Sequence, residues 1–270
     1  MIQNLTLPSP LGGPPPEEVT LPRAPLARVL AQVRYPSILY IGEKSRLAPF
    51  QADVRAQYPI FREDSGQNFK VEMSPGGPAI ETERSTLWRF GSVDGVWLIT
   101  LTPEAVTLET RAYESRAEFV QRLAHVLACV ETHFAPGIAE RISMRYVTRV
   151  TDEGYDRIDD MVEPGLLGLA IPEFRRHVTH AISEAAIEIE EGALFLRWGV
   201  LPPNGTFDPF VLEPIGKPSW VIDIDVSITG FTDFKAGALA DHFYALAKRA
   251  YAIFRHMVTD AFLALYGGRS

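Results

Sequence analysis

The hydrophobic residues of this chain change period several times, and each change marks an element. In residues 26–35, Val29, Ala31, Val33 and Tyr35 alternate with Arg28, Gln32 and Arg34, which predicts a half-buried strand. Leu47, Phe50, Val54 and Tyr58 then recur at helical spacing. Pro49 is tolerable there in a first turn and Pro59 closes the segment, so a short helix is expected. Residues 69–73 read as a strand, followed by a loop at 74–78 rich in Pro and Gly. Trp88, Arg89 and Phe90 end the next strand. Asp94-Gly95 predicts a two-residue type I′ turn into strand 96–100. After Thr102-Pro103-Glu104, strand 105–111 alternates Val106, Leu108 and Thr110 with Thr107, Glu109 and Arg111.

Ser115-Arg116-Ala117-Glu118 is a capping box, so a helix starts at Ser115. Its apolar stripe is Phe119, Leu123, Val126, Leu127, Val130 and Phe134, and Pro136-Gly137 ends it. A strand at 141–150 follows, then a weak helix at 155–170 interrupted by Pro164-Gly165. Residues 174–190 contain a strand in which Ala185, Ile187 and Ile189 alternate with Glu184, Glu188 and Glu190. Gly192 turns the chain into strand 194–200. A proline-rich connection over 201–217 leads to strand 220–229. Residues 235–266 keep apolar side chains in steps of three and four, which predicts one long helix.

The order strand, helix, antiparallel strands, long helix thus occurs twice, over residues 26–137 and 138–270. No residue-level repeat accompanies it. The element order resembles the duplicated fold of the TATA-box-binding protein. That resemblance implies an α+β architecture in which both halves share one curved antiparallel sheet, with helices on one face and the other face open. The alternative is a helix-grip sheet around one C-terminal helix. Residues 1–25 are dense in proline and are expected to form a flexible arm.

Composition narrows the function. With 34 acidic against 26 basic residues the net charge is −8, which argues against general nucleic-acid binding. The single cysteine, Cys129, supports neither a disulfide framework nor a thiolate metal site. No apolar run spans a membrane, and residues 1–21 lack the pattern of a signal peptide, so a cytoplasmic location is expected. Trp88, Phe90, Trp97, Trp198 and Trp220 fall in strands and are assigned to core.

The candidate chemistry lies on the predicted open face. Arg141, Arg145 and Arg149 share one side of their strand, with Arg34 on a neighbouring strand, and guanidinium forks suit phosphate or carboxylate ligands. The competing reading is that acidic residues of adjacent strands pair with them. Glu188, Glu190, Asp223 and Asp225 are candidate ligands for a magnesium-like ion, with ion pairing as their competing reading. His177 and His180 are three apart in an expected strand and point to opposite faces. His256 and Asp260 form an i, i+4 pair, read either as a dyad or as an ordinary ion pair. No nucleophile elbow, phosphate loop, dinucleotide fingerprint, zincin helix or paired-cysteine motif is present in the sequence, so no cofactor and no catalytic residue is assigned. The connection 201–217 has the length of a binding loop or lid.

Pro25-Leu26, Arg34-Tyr35-Pro36, Tyr58-Pro59, Trp88-Arg89-Phe90, Leu108-Glu109-Thr110 with Tyr113, the run Arg141-Ile142-Ser143-Met144-Arg145-Tyr146, and Phe254 with Thr259 resemble a bacterial family of sporadically distributed proteins of similar length. Ser143-Met144 departs from the Gly-Leu of that family's run. The resemblance implies no reaction and no site residue. Patchy distribution implies carriage on mobile genes, and with it a defence, toxin-antidote or phage-related role. The expected function is therefore a non-catalytic interaction module with a protein partner or as a homodimer. A sensor of a small anionic ligand or nucleotide is the first alternative, and a metal-dependent hydrolase or nuclease is the second.

Overall fold

The computed structural model describes residues 16–74, 77–190 and 192–268. Its strands are β1 (Leu26–Arg34), β2 (Ile60–Ser74), β3 (Gly77–Gly91), β4 (Trp97–Thr102), β5 (Ala105–Thr110), β6 (Ile138–Val150), β7 (Ala181–Ile189), β8 (Gly192–Leu201) and β9 (Ser219–Asp233). The helices are α1 (Ala48–Val54), α2 (Arg116–Phe134), α3 (Asp152–Asp156), α4 (Ile158–Met161), α5 (Ala236–Met257) and α6 (Asp260–Leu265).

All nine strands form one antiparallel sheet in the order β2-β3-β4-β5-β1-β6-β9-β8-β7. The first strand of each half, β1 and β6, pair at the middle, and the later strands of each half run outward from that seam. This is an α+β fold with a duplicated element order. Two long helices, α2 and α5, pack on each other and on the same face of the sheet, so the single-helix grip arrangement does not describe it.

Period-two alternation dictates that face. Val29, Ala31 and Val33 of β1, Ile142 and Met144 of β6, and Ile222, Ile224 and Val226 of β9 point into the main core. The stripe read from the sequence of α2 meets them, with Phe119, Leu123, Val126, Leu127, Val130 and Phe134 all buried. Each such side chain contributes about 1.5–3 kcal/mol by leaving water. Ser115 caps α2 by accepting from the Glu118 amide at 3.2 Å, and Ser115→Ala would cost about 1 kcal/mol. Glu131, near the other end of α2, accepts from the Ala236 amide at 2.9 Å and from Lys235 at 3.0 Å. It caps α5 across the helix pair, and these bonds hold its carboxyl below the usual carboxylate range.

Several expectations need correction. The turn after β3 is not a two-residue type I′ turn. The Gly95 amide donates to Ser92 O at 3.1 Å, and only Gly95 takes positive φ (71°), so this is a longer loop with one left-handed residue. The hairpin β2–β3 pairs fifteen residues on each strand, far beyond the predicted 69–73, and continues past β4, which pairs with β3 only at Trp88, Arg89, Phe90 and Gly91. Pro75 and Gly76 of the predicted loop, and residues 1–15 of the predicted arm, lie outside the described residues. The rest of that arm is docked: the Val19 amide donates to Tyr251 Oη at 2.7 Å.

The weak helix at 155–170 is instead two short helices, α3 and α4, with a 3-10 turn at Pro164–Leu166. His177 lies in a 3-10 turn before β7, not in a strand. The long C-terminal helix breaks at Val258, which is extended and bridges to Val162, and Thr259 restarts the chain as the N-cap of α6. The apolar period continues across this break, which hides it from the sequence. Among the described residues no helix is long and apolar enough to cross a membrane.

Candidate functional site: the sheet face opposite the helices

On the second half of this face, residues 202–218 fold back over the strands. Leu212 seats against Val147, Leu201 and Val221, with Phe207, Val211, Ala27 and Ile182 around them. The covered arginines are paired. Arg145 donates through Nε and Nη2 to the two oxygens of Asp223, both at 2.8 Å. Asp223 is fully buried, and Arg197 also reaches it at 3.3 Å while donating to Glu184 at 2.6 Å. Phe207 lies over the Arg197 guanidinium at 4.4 Å, and Asp208 stands 3.8 Å from Arg145. Arg141 donates to Asp225 at 3.0 Å and to Ser143 Oγ at 2.8 Å. Burial pushes the Asp225 carboxyl up despite Arg141.

Successive arginines of β6 are four residues apart, about 13 Å along the strand. They do not converge on one small anion. Arg149 differs from the other two: Nη1 donates to Glu213 O at 2.5 Å, while Nε and Nη2 are buried without a partner. Burial lowers its pKa, against the opposing pull of Glu213. Arg34 is exposed and has no ion-pair partner among the described residues.

The proposed metal ligands are not brought together. β8 lies between β7 and β9, so Glu188 stands about 10 Å from the strand that carries Asp223 and Asp225, and both aspartates are engaged by arginines. Glu190 sits in the turn after β7. Among the described residues no group of three His, Cys, Asp or Glu is placed to hold a metal ion. Asp260 faces Arg255 at 3.6 Å, and the helix break separates it from the i, i+4 relation with His256.

On the first half of the same face, the strands and Pro209, Phe210 and Glu213 of the 202–218 loop wall a groove of about 620 Å³. Arg28, Arg62, Arg89 and Arg111 line it, against Glu109 and Glu213, so positive charge collects there in a chain of net −8. The β-register explains the convergence: Arg62 of β2 is paired with Arg89 of β3, and Arg89 with Thr100 of β4, which places them in one row across the strands. Arg28 is 8% exposed and donates to Glu109 at 2.5 Å and to Glu213 at 3.4 Å. Arg111 donates to Glu213 at 2.9 Å, and Arg89 stands 3.1 Å from Asp64.

Two donors in the groove remain unused. The Nε atoms of Arg28 and Arg89 are buried without an acceptor, and Arg62 has no ion-pair partner among the described residues. Burial pushes the Glu109 carboxyl up, against the lowering pull of Arg28, Arg89 and Arg111. Ile60, Val93 and Phe210 stand exposed at the rim, at 43%, 82% and 77%.

Sequence reasoning placed Arg28 on this face and missed Arg62, Arg89, Arg111 and Glu213. Arg89 between Trp88 and Phe90, and Arg111 two residues beyond Glu109, carried the signal through their parity. Arg62 carried none, because residues 60–68 do not read as a strand. No family model matches the chain, and no curated protein matches it. The site therefore rests on its geometry, and no residue role passes to it from another protein.

Proposed function

We propose that this protein is a non-catalytic, cytoplasmic binding module whose arginine-lined groove on the first half of the sheet takes an acidic, extended segment of a partner protein. The observation that carries this reading is the pair of buried, unaccepted guanidinium donors, Arg28 Nε and Arg89 Nε, on the floor of a groove rimmed by exposed Ile60, Val93 and Phe210. A buried donor without an acceptor costs about 1–3 kcal/mol, and a ligand carboxylate placed there would recover it. Alternate apolar side chains of an extended segment would meet the rim.

The test is titration of a labelled Asp/Glu-rich decapeptide with leucine at alternate positions, followed by fluorescence anisotropy. Saturable binding is expected, weakened about tenfold by the double substitution Arg62→Ala, Arg89→Ala and by added salt. Equal affinity in wild type and double variant would overturn the reading.

A small-anion sensor is the second reading, favoured by Arg149 with its two spare donors. Thermal shift against inorganic phosphate separates the two: stabilisation lost in Arg149→Lys belongs to this second site.

A further inference from the structure

A second cavity lies on the helix side of the sheet, remote from the groove. It is about 150 Å³ and is lined by residues of β6, β9, α5, the start of α2 and the docked segment 18–26. Its wall is mainly apolar, with Leu21, Leu26, Ile224, Ala250 and Phe254. A cavity of this size accepts a single six-membered ring.

One side of the wall is polar. Tyr113 Oη and Tyr146 Oη stand 3.4 Å apart, and burial pushes both phenols up, so both stay protonated near neutral pH. Their mutual bond uses one of the two hydroxyl protons. The other is left to donate to an oxygen in the cavity. Beside them Arg116 is 8% exposed, and its Nε is buried without an acceptor. Its guanidinium is held 5.4 Å from the Tyr244 ring and 6.0 Å from the Tyr251 ring, which fixes its position.

The counter-charge to Arg116 comes from the docked segment. Glu18 Oε2 lies 3.2 Å from Arg116 Nη1, although the Glu18 side chain is half exposed. The same segment is fastened by the Val19 amide to Tyr251 Oη at 2.7 Å and by Tyr251 Oη to Glu17 O at 3.1 Å. Further along, the Arg23 amide and Nη2 donate to Tyr266 O at 3.2 Å and Leu265 O at 2.7 Å, which anchors the segment behind the stretch 16–20. A carboxylate is therefore already present at the mouth of the cavity, supplied by a residue that water can reach.

We infer that this cavity binds a small aromatic monocarboxylate, with the ring against Ala250 and Phe254 and the carboxylate on Arg116 and the tyrosine pair, in place of Glu18. The segment 16–20 is the gate, hinged on the anchored Arg23. Binding exchanges an internal carboxylate for an external one, so the lid loosens from Arg116 as the ligand enters.

The test uses benzoate, with benzamide as the uncharged control, in thermal-shift and calorimetric titrations of the full chain. Benzoate is expected to raise the melting temperature saturably and benzamide to leave it unchanged. Glu18→Gln removes the competing carboxylate and should tighten benzoate about fivefold or more. Ala250→Leu fills the cavity and should abolish binding while leaving Arg116 in place. No benzoate shift, an equal benzamide shift, or benzoate binding that survives Ala250→Leu would overturn the inference.

Discussion

The two halves of the sheet face opposite the helices carry similar side chains and use them differently. On the second half, Arg145 and Arg197 converge on the fully buried Asp223, Arg141 takes Asp225, and the loop with Phe207 and Leu212 closes over them. On the first half, Arg28, Arg62, Arg89 and Arg111 outnumber the carboxylates beside them, the same loop reaches only one side of them through Pro209, Phe210 and Glu213, and two buried Nε donors lack acceptors. A row of arginines is thus not itself a sign of a binding site. What separates the halves is the fully buried Asp223, which Arg145 and Arg197 share on the second half; buried donors without acceptors remain on both, Arg149 Nε and Nη2 there and Arg28 Nε and Arg89 Nε on the first half.

The largest expected break in this comparison is at Asp223. Asp223→Ala leaves Arg145 and Arg197 mostly buried without their shared carboxylate, and urea denaturation should show a loss of about 3–5 kcal/mol. Arg62→Ala on the first half, where the side chain is exposed, should stay within about 0.5 kcal/mol of wild type. Similar losses at both sites would erase the distinction between the halves.

Leu212→Ala comes next. It removes the side chain that closes the small cluster of Val147, Leu201 and Val221, and should cost about 2–3 kcal/mol. Phe210 and Glu213 of the same loop line the groove, so peptide binding is expected to weaken in this variant as well.

The smallest effect is one of pH. The folded state raises the Glu109 carboxyl, so the native chain binds this proton more readily than the unfolded one. The penalty on the ionised form is fully present above the raised pKa and disappears as the pH falls toward the ordinary value of 4.5. Wild type should therefore gain stability relative to Glu109→Gln as the pH is lowered through that window. A gap between the two that does not change with pH would show that Arg28 compensates Glu109 in full.

Most of the fold was legible because its local signals agree with its packing. The stripe from Phe119 to Phe134 is buried residue by residue, Ser115 makes its half of the capping box while Glu118 turns to Arg122 instead of the Ser115 amide, and β5 alternates strictly. The hairpin β2–β3 was mostly hidden, since Gly66, Asn68, Gly77 and Pro78 are poor strand residues, yet the backbone ladder pairs them in register. The site was legible only in part. Parity places an arginine on a face, but whether Asp223 or solvent meets it depends on strand order, and whether a loop covers it depends on tertiary folding of residues 202–218.

The cap that Glu131 places on Ala236 has a consequence in time. The two residues are 105 positions apart, so at about 5–20 residues per second the carboxylate precedes its amide by on the order of 10 s during synthesis. Arg145 likewise precedes Asp223, by 78 positions. Through that interval the seam strand β6 has β1 on one edge and nothing on the other, with its arginines solvated. The nascent first half thus serves as the template on which the second half is completed.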